Sequence, residues 1–223
     1  FGMGSRKRYS EELRRAAEPL WAAQHAHPFV RGIGEGTLEE ERFRHYVGQD
    51  YLFLIEYGRL LALASARAPR LELEQRFAEL ARATLIEEMA LHRAYAAEWG
   101  ISPQALERER PTATTRAYTD FLLRTACLGD FAELVAALLP CMWGYSEIGR
   151  RLAEQGRPSH ALYARWIDVY ADPEFGRLAD WCREVCDEAA EAGDRDRMLE
   201  AFLVSSRHEL AFWDASWRLE PPA

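Results

Sequence analysis

The chain has 223 residues, of which 48% are hydrophobic and 29% are charged, and its formal net charge is −8. A chain of this length and composition is expected to form a single globular domain around one hydrophobic core. The acidic balance argues against nucleic acid and anionic membranes as partners, because both are bound by surfaces rich in Lys and Arg. The longest uncharged stretch, residues 134–146, is too short to cross a bilayer.

Four cysteines, with no secretory sequence before them, predict reduced thiols in a cytoplasmic protein; they are Cys127, Cys141, Cys182 and Cys186. The opening FGMGS resembles a remnant of a cloning tag. We therefore expect residues 1–8 to be a disordered tag remnant and residues 9–219 to form the folded domain.

Helical periodicity predicts an all-α bundle of about seven to nine helices. The first predicted helix covers residues 10–26 and is followed by PFVRGIGEG as a connection. Thr37 and Glu40 have the spacing of a capping box before a helix that lasts to the Ala-Pro break at 68–69. The remaining predicted helices cover residues 71–99, a short piece after Ser102-Pro103, and residues 112–129, 130–156, 159–170, 172–192 and 194–218.

The stretch LLPCMWGYSEIG, residues 138–149, places a proline and a cysteine inside a predicted helix. Pro140 removes one backbone N–H and is expected to kink the helix, turning the thiol of Cys141 toward the bundle interior. Tyr145 lies four residues further on and shares that face. From the residues alone, Cys141 is either core packing or a nucleophile.

Two carboxylates stand among apolar residues. Asp50 lies in HYVGQDYLFLIEY, with Phe53 three residues later on the same side, and a buried carboxylate there is either paired or functional. Glu209 lies in SSRHELAFWDASW, with Phe212 and Trp213 one turn later, and the alternative for it is a solvated helix face. The aromatic residues Tyr118, Tyr163, Trp166 and Tyr170 are each compatible with core or site.

The succession QDYLFL, LLPCMWGYSEIG and HELAFWD resembles the TenA family of thiaminase II enzymes, which are aminopyrimidine aminohydrolases of thiamin salvage. The likeness covers residues 9–219. It implies a heme-oxygenase-like helical bundle, usually a homotetramer, with a closed pocket for a 4-amino-2-methylpyrimidine ring and with no metal or other cofactor.

The resemblance also implies roles for individual residues. Cys141 matches the nucleophile, Glu209 matches the carboxylate that contacts the ring and moves protons, and Asp50 matches the aspartate that holds the 4-amino edge. Phe53 stands where many members carry a tyrosine, so stacking should survive while a hydroxyl contact is in doubt. The other implied binding residues are Tyr145 in the acid network and Tyr118, Tyr170 and Phe212 as aromatic walls.

These residue types suit hydrolysis at the methylene carbon of an aminopyrimidine. Addition of sulfur to the ring carbon next to N1 makes the ring electron-rich, so that it expels the amine or thiazole before water adds. Two carboxylates oppose ionisation of a nearby thiol, so we predict that Cys141 is neutral at rest. The expected product is 4-amino-5-hydroxymethyl-2-methylpyrimidine, and whether thiamin or an aminomethylpyrimidine is preferred stays open.

Other classes of protein share helical bundles. Glu87, Glu88 and His92 suggest a di-iron oxidase, but Met89 occupies the position that the Glu-x-x-His motif gives to a glutamate. A non-catalytic pyrimidine-binding or regulatory protein is a further alternative. Weaker candidates are His25 and His27 as heme ligands, against exposed histidines, and Cys182 and Cys186 as a zinc pair, against ordinary helix-face thiols.

Overall fold

The computed structural model describes residues 8–223, and the tag remnant expected for residues 1–8 therefore falls almost wholly outside the described part. The described residues form twelve α-helices and a π-helical segment, with an isolated β-bridge between Thr112 and Pro222 and no strand. The all-α prediction is confirmed. In chain order the helices are α1 Tyr9–Ala16, α2 Glu18–Ala26, α3 Pro28–Glu35, α4 Glu40–Arg67, α5 Leu71–Arg82, the π segment Ala83–Glu88, α6 Met89–Glu98, α7 Pro103–Glu107, α8 Ala113–Leu128, α9 Phe131–Glu154, α10 Ala161–Tyr170, α11 Pro173–Ala189 and α12 Arg195–Trp217.

The helix count was predicted too low because several predicted helices are divided. The helix expected over residues 10–26 is two helices that meet at Ala17. The stretch PFVRGIGEG, expected to be a connection, forms α3, with Pro28 in its first turn and Gly36 ending it at a φ of 75°. Proline fits the first turn of a helix, and glycine fits the left-handed position after its end, so both residues have helical roles here.

Local capping signals were reliable at most helix starts but wrong at α4. That helix begins at Glu40, and the backbone N–H of Thr37 bonds instead to the carbonyl of Gly32, so Thr37 belongs to the end of α3. The capping box at Asp130 and Glu133 is confirmed, as are the side-chain caps at the starts of α7 and α8.

The π-helical segment interrupts the helix predicted over residues 71–99. A π turn holds more residues than an α turn, so the side chains beyond it rotate to a different face of the helix. Leu85 in this segment packs into the space left by Gly58 of α4, where a Cβ would come within 2.4 Å of its side chain. The segment is therefore seated directly against α4.

Helix α9 is the central element and packs against α8, α10, α11 and α12, while α4 packs against α5 and α8. It continues through Pro140. The turn before the proline receives hydrogen bonds from two neighbours: Ser205 of α12 donates to the carbonyl of Ala137 at 2.7 Å, and Tyr57 of α4 donates to that of Leu138 at 2.8 Å. These contacts fix α4, α9 and α12 to one another at the level of Cys141.

No helix within residues 8–223 is both long enough and apolar enough to span a membrane.

Candidate active site

Cys141 borders a small cavity of about 10 Å³, which we call the Cys141 cavity. Its side chain is only partly buried because it faces this space. The residues that line the cavity come from α4, the π segment, α9, α10 and α11; they are Asp50, Phe53, Leu54, Tyr57, Glu88, Cys141, Met142, Tyr145, Tyr170 and Phe175. Five of the eight predicted site residues thus border one cavity: Asp50, Phe53, Cys141, Tyr145 and Tyr170.

Glu209 of α12 lies behind the thiol. Its side chain is almost fully buried, with 3% exposure, and its charge raises the pKa of the Cys141 thiol. Tyr118 of α8 donates its hydroxyl to Glu209 Oε1 at 2.6 Å. Burial is the main cause that raises the pKa of Glu209 to about 7, and the charge of Asp50 acts in the same direction. The carboxyl is therefore poised to exchange a proton near neutral pH.

The thiol itself is not activated by its surroundings. Burial raises the pKa of Cys141 well above its usual value, and the negative charges of Glu209, Glu88 and Asp50 raise it further. A group with such a pKa is protonated at neutral pH. This supports the expectation that the resting thiol is neutral and that its proton must move as the sulfur attacks.

Asp50 of α4 is held by a histidine that the sequence suggested only as a metal ligand. His92 Nε2 lies 2.6 Å from Asp50 Oδ2, and His92 Nδ1 lies 3.0 Å from the backbone carbonyl of Glu88. Because a carbonyl only accepts, Nδ1 carries a proton, and a further proton must lie between Nε2 and Asp50. Burial alone would lower the pKa of His92, but the hydrogen bond and charge of Asp50 outweigh it and raise that pKa.

Hydroxyl groups extend this network. Tyr46 donates to Asp50 Oδ2 at 3.4 Å, and its hydroxyl lies 3.1 Å from that of Tyr145. Trp166 donates its indole N–H to Tyr46 at 3.4 Å. Tyr145 therefore joins the acid network through Tyr46, a residue that the sequence interpretation did not single out.

The predicted aromatic walls divide into two groups. Tyr170 lines the cavity and donates to Glu88 Oε1 at 3.2 Å. Tyr118 and Phe212 stand outside the cavity lining of the described chain and pack behind Phe53, with ring centroids 4.8 Å and 5.8 Å from it. Tyr118 binds Glu209 and Phe212 contacts Phe53, and the role of these two rings as walls around a bound pyrimidine stays a prediction.

Glu88 is a third carboxyl of the cavity, and its role was not predicted. It lies at the end of the π segment, with a half-buried side chain. Burial raises the pKa of Glu88 to about 7, with Asp50 acting in the same direction and His92 and Tyr170 opposing it. The sequence signal was the pairing of Glu88 with His92 one turn later, but the π turn that aims both inward leaves no mark on hydrophobic periodicity.

The residues weighed as metal or heme ligands have other partners. Residues 8–223 contain no group of three or more His, Cys, Asp or Glu side chains arranged to hold a metal ion. His25 and His27 are partly buried, contrary to expectation, and lie 3.1 Å from Glu147 and 3.5 Å from Asp214. Cys182 and Cys186 are fully buried in the hydrophobic core on α11.

A model of the TENA/THI-4/PQQC family matches residues 14–219. The chain belongs to this family. Its similarity to the aminopyrimidine aminohydrolase of Halalkalibacterium halodurans is 43% identity over 94% of this chain and 95% of that protein. The solved structure of a TenA homologue from P. horikoshii OT3 superposes with a TM-score of 0.90, at 34% identity, covering 95% of this chain and 99% of that one.

The fold extends beyond these relatives. A domain of unknown function with a heme oxygenase-like fold from Shewanella denitrificans OS217 superposes with a TM-score of 0.74 over 98% of this chain and 94% of that one. The identity is 11%, so this likeness concerns the fold alone. The heme-oxygenase-like bundle expected for this TENA/THI-4/PQQC protein is confirmed.

Proposed function

We propose that this family member is an aminopyrimidine aminohydrolase that releases 4-amino-5-hydroxymethyl-2-methylpyrimidine in thiamin salvage, with Cys141 as nucleophile. The relative from Halalkalibacterium halodurans, 43% identical, carries that name. The observation that carries the proposal is the position of the Cys141 thiol, which borders a cavity together with Asp50 and Phe53 and lies close enough to the buried Glu209 carboxyl for that charge to raise the pKa of the thiol. The cavity has a volume of about 10 Å³, so its lining side chains must move apart to admit a ring. A thiol near a carboxyl that can take its proton is suited to covalent catalysis.

Catalysis begins as Glu209 takes the thiol proton and the sulfur forms a bond to the ring carbon next to N1. The proton passes from Glu209 to N1, which leaves a neutral, electron-rich ring. Ring electrons then break the C–N bond of the methylene substituent, and the bonding pair departs with the amine. Glu209 serves both transfers because its pKa of about 7 lets it hold or release a proton near neutral pH.

Water completes the reaction at the exocyclic carbon. Its oxygen bonds to that carbon, and one of its protons goes to the departing amine. The C–S bond then breaks with its pair on sulfur, and the proton on N1 returns to the thiol. A substrate whose aminomethyl group is protonated and water thus give the hydroxymethyl product and an ammonium ion, with no oxidation or reduction.

Asp50 would orient the ring in this scheme. Its Oδ2 is held by His92 and Tyr46, while Oδ1 receives no hydrogen bond from residues 8–223 and belongs to a side chain that lines the Cys141 cavity. A fixed carboxylate with one free oxygen suits the two N–H groups of a 4-amino substituent. Phe53 supplies a flat apolar face on the same helix, so stacking does not depend on the hydroxyl that many relatives carry there.

Replacing Cys141 by Ser tests the nucleophile. Hydrolysis of 4-amino-5-aminomethyl-2-methylpyrimidine should fall by at least about 10³-fold, because serine is a poor nucleophile and leaving group here, while the dissociation constant stays within about threefold. Cys127→Ser is the matched control, since that thiol is exposed on α8. Residual turnover close to the native rate in Cys141→Ser would refute the assignment. Binding without turnover by the native protein would instead favour a non-catalytic pyrimidine-binding protein.

We further propose that the protein is a cytoplasmic homotetramer. All four cysteines are free, which suits a reducing compartment. Four large apolar side chains are exposed on the isolated chain, which suits burial in subunit interfaces; they are Leu71, Leu85, Ile86 and Leu128. Light scattering on the purified protein should give the mass of four chains, and a monomer at all concentrations would contradict this.

A further inference from the structure

A second cavity adjoins the Cys141 cavity. It has a volume of about 270 Å³ and lies between the π segment, α10 and α11; we call it the outer pocket. Four residues border both cavities, so the partition between them is one side chain thick: Glu88, Met142, Tyr170 and Phe175. A water molecule takes up roughly 30 Å³ in the liquid, so the outer pocket has room for an amine with several carbon atoms.

The lining of the outer pocket is mainly aliphatic and aromatic, including Leu80, Leu91, Val169 and Leu178. Two glutamates also line the outer pocket, Glu87 and, at the partition, Glu88. Its neighbour Glu87 is exposed and pairs with Arg82 at 3.3 Å, whereas Glu88 forms no ion pair within residues 8–223 and accepts only the neutral hydroxyl of Tyr170. A half-buried carboxylate without a counterion is unfavourable until a cation meets it.

The fold places Glu88 at this partition through an unusual local structure. The π segment Ala83–Glu88 is seated on α4 by Leu85 and ends at Glu88. One residue earlier, Glu87 is exposed and borders the outer pocket but not the Cys141 cavity, so of these two adjacent glutamates only Glu88 lies at the partition. π-helical turns are frequent at functional sites because they re-aim single side chains in this way.

We propose that the outer pocket receives the leaving half of the substrate and that the Glu88 carboxylate contacts the nitrogen that leaves. The ligand class is a methylene-linked ammonium, either primary or with a small apolar substituent. This inference rests on the proposed function and adds a charge requirement and a size limit for the leaving group. The bond that breaks is the C–N bond described above; its electron pair stays on nitrogen, and the amine takes up the proton that water gives up.

The charge requirement is tested by binding, in a Cys141→Ser background that separates affinity from turnover. Calorimetry compares 4-amino-5-aminomethyl-2-methylpyrimidine with its neutral 5-methoxymethyl analogue. Adding Glu88→Gln should weaken the aminomethyl compound at least tenfold and the methoxymethyl compound by less than threefold. Equal losses for both compounds, or no loss for either, would overturn the role of Glu88.

The matched control removes the same charge from a nearby glutamate that lines neither cavity. Glu79→Gln, in the same background, should change either dissociation constant by less than threefold, because Glu79 is exposed and lies 3.6 Å from Arg82. If Glu79→Gln weakens the aminomethyl compound as much as Glu88→Gln does, the effect is general attraction of a cation, and the proposed contact is wrong.

The size limit is tested by enlarging a side chain that lines the outer pocket but not the Cys141 cavity. Leu178→Trp, again with Cys141→Ser, should weaken an N-benzyl aminomethylpyrimidine at least tenfold and leave the parent aminomethyl compound within threefold. Equal affinity of native and Leu178→Trp proteins for the N-benzyl compound would show that the substituent lies elsewhere. Failure of turnover in the native enzyme would refute the proposed function while these affinities remained measurable.

Discussion

Two glutamates of this protein have pKa values shifted in opposite directions by their surroundings. Glu147 of α9 lies at the junction of α1, α2 and α9, where Arg14 approaches its two oxygens at 3.2 and 3.1 Å and His25 lies at 3.1 Å. Burial alone would raise the pKa of Glu147, but His25 and Arg14 reverse the effect and lower it to about 2. Within residues 8–223 the carboxyl of Glu209 accepts a hydrogen bond from the phenol of Tyr118 and meets no cation, and its pKa rises to about 7.

The contrast between Glu147 and Glu209 shows which buried carboxylates can transfer protons. A carboxylate that faces cations keeps its charge at every physiological pH and connects helices. A carboxylate that faces neutral donors gains and loses its proton near pH 7, which costs stability but permits catalysis. Helix α9 takes part in both arrangements, because it carries Glu147 and also Cys141, whose pKa the charge of Glu209 raises.

Of these two glutamates, Glu209 should matter far more for activity. Glu209→Gln keeps the shape of the side chain and its ability to accept from Tyr118 but removes proton transfer, so kcat should fall by about 10²-fold. Steady-state assays with the aminomethylpyrimidine check this. Glu147→Gln is the control, with a change of less than about twofold at a temperature where both variants are folded. A native rate in Glu209→Gln would place proton transfer on another group.

For stability the order of the two glutamates is reversed, and Glu147→Gln should have the larger effect. Because the folded state lowers the pKa of Glu147, its contribution is present above pH 4.5 and lost as the pH falls toward about 2. Glu147→Gln should therefore reduce the free energy of unfolding at pH 7 by about 2 kcal/mol and flatten the acid limb of the stability profile. Urea titrations between pH 2 and 8 measure this.

Glu209 provides the reverse case in the same titrations. Its raised pKa means that the folded state binds the proton more tightly, so stability falls as the pH rises from 4.5 through about 7. Glu209→Gln should remove that loss and raise the free energy of unfolding at pH 8 by about 1 kcal/mol relative to the native chain. A decrease in both variants at pH 8 would show that the two carboxylates do not differ as described.

Local signals in the sequence predicted most of the fold. The Asp130 capping box and the apolar periodicity of the long helices depend on residues within a few positions, and both are confirmed. The division of the first helix, the helical PFVRGIGEG and the π segment depend on contacts between helices that a 3.6-residue period does not record. Asp50 stood out because a carboxylate lies among apolar residues, whereas the roles predicted for Cys141 and Tyr145 came from the resemblance to the TenA family.

What the sequence did not show is how those groups are paired. His92 meets Asp50 across 42 positions, and Tyr118 meets Glu209 across 91. The sequence around His92 or Tyr118 does not indicate this pairing, because a buried histidine or tyrosine is usually interpreted as core packing. Glu88 was also missed as a cavity acid, because its orientation follows from the π turn and not from its spacing to apolar neighbours.

The smallest effect concerns the tuning of Glu209 by Tyr118. Their hydrogen bond lowers the pKa of Glu209 and so opposes burial; Tyr118→Phe should raise that pKa above about 7. In the proposed mechanism Glu209 must be ionised to take the thiol proton, so the rate increases with pH through this pKa. The rising limb of the pH–rate profile of Tyr118→Phe should therefore move to higher pH. Its kcat/KM should be about threefold lower than native at pH 7 and close to native at pH 8.5.

Tyr163→Phe is the matched control for this shift, because it also removes a buried hydroxyl. The hydroxyl of Tyr163 donates to the backbone carbonyl of Leu38 at 2.7 Å and not to a carboxyl. The pH profile of Tyr163→Phe should overlay the native one even if its stability falls. A displaced limb in both variants would mean that a general loosening of the bundle, and not the Tyr118 contact, sets the proton affinity of Glu209. A displaced limb in Tyr118→Phe alone would show that a single neutral donor sets how far burial moves the pKa of the catalytic acid.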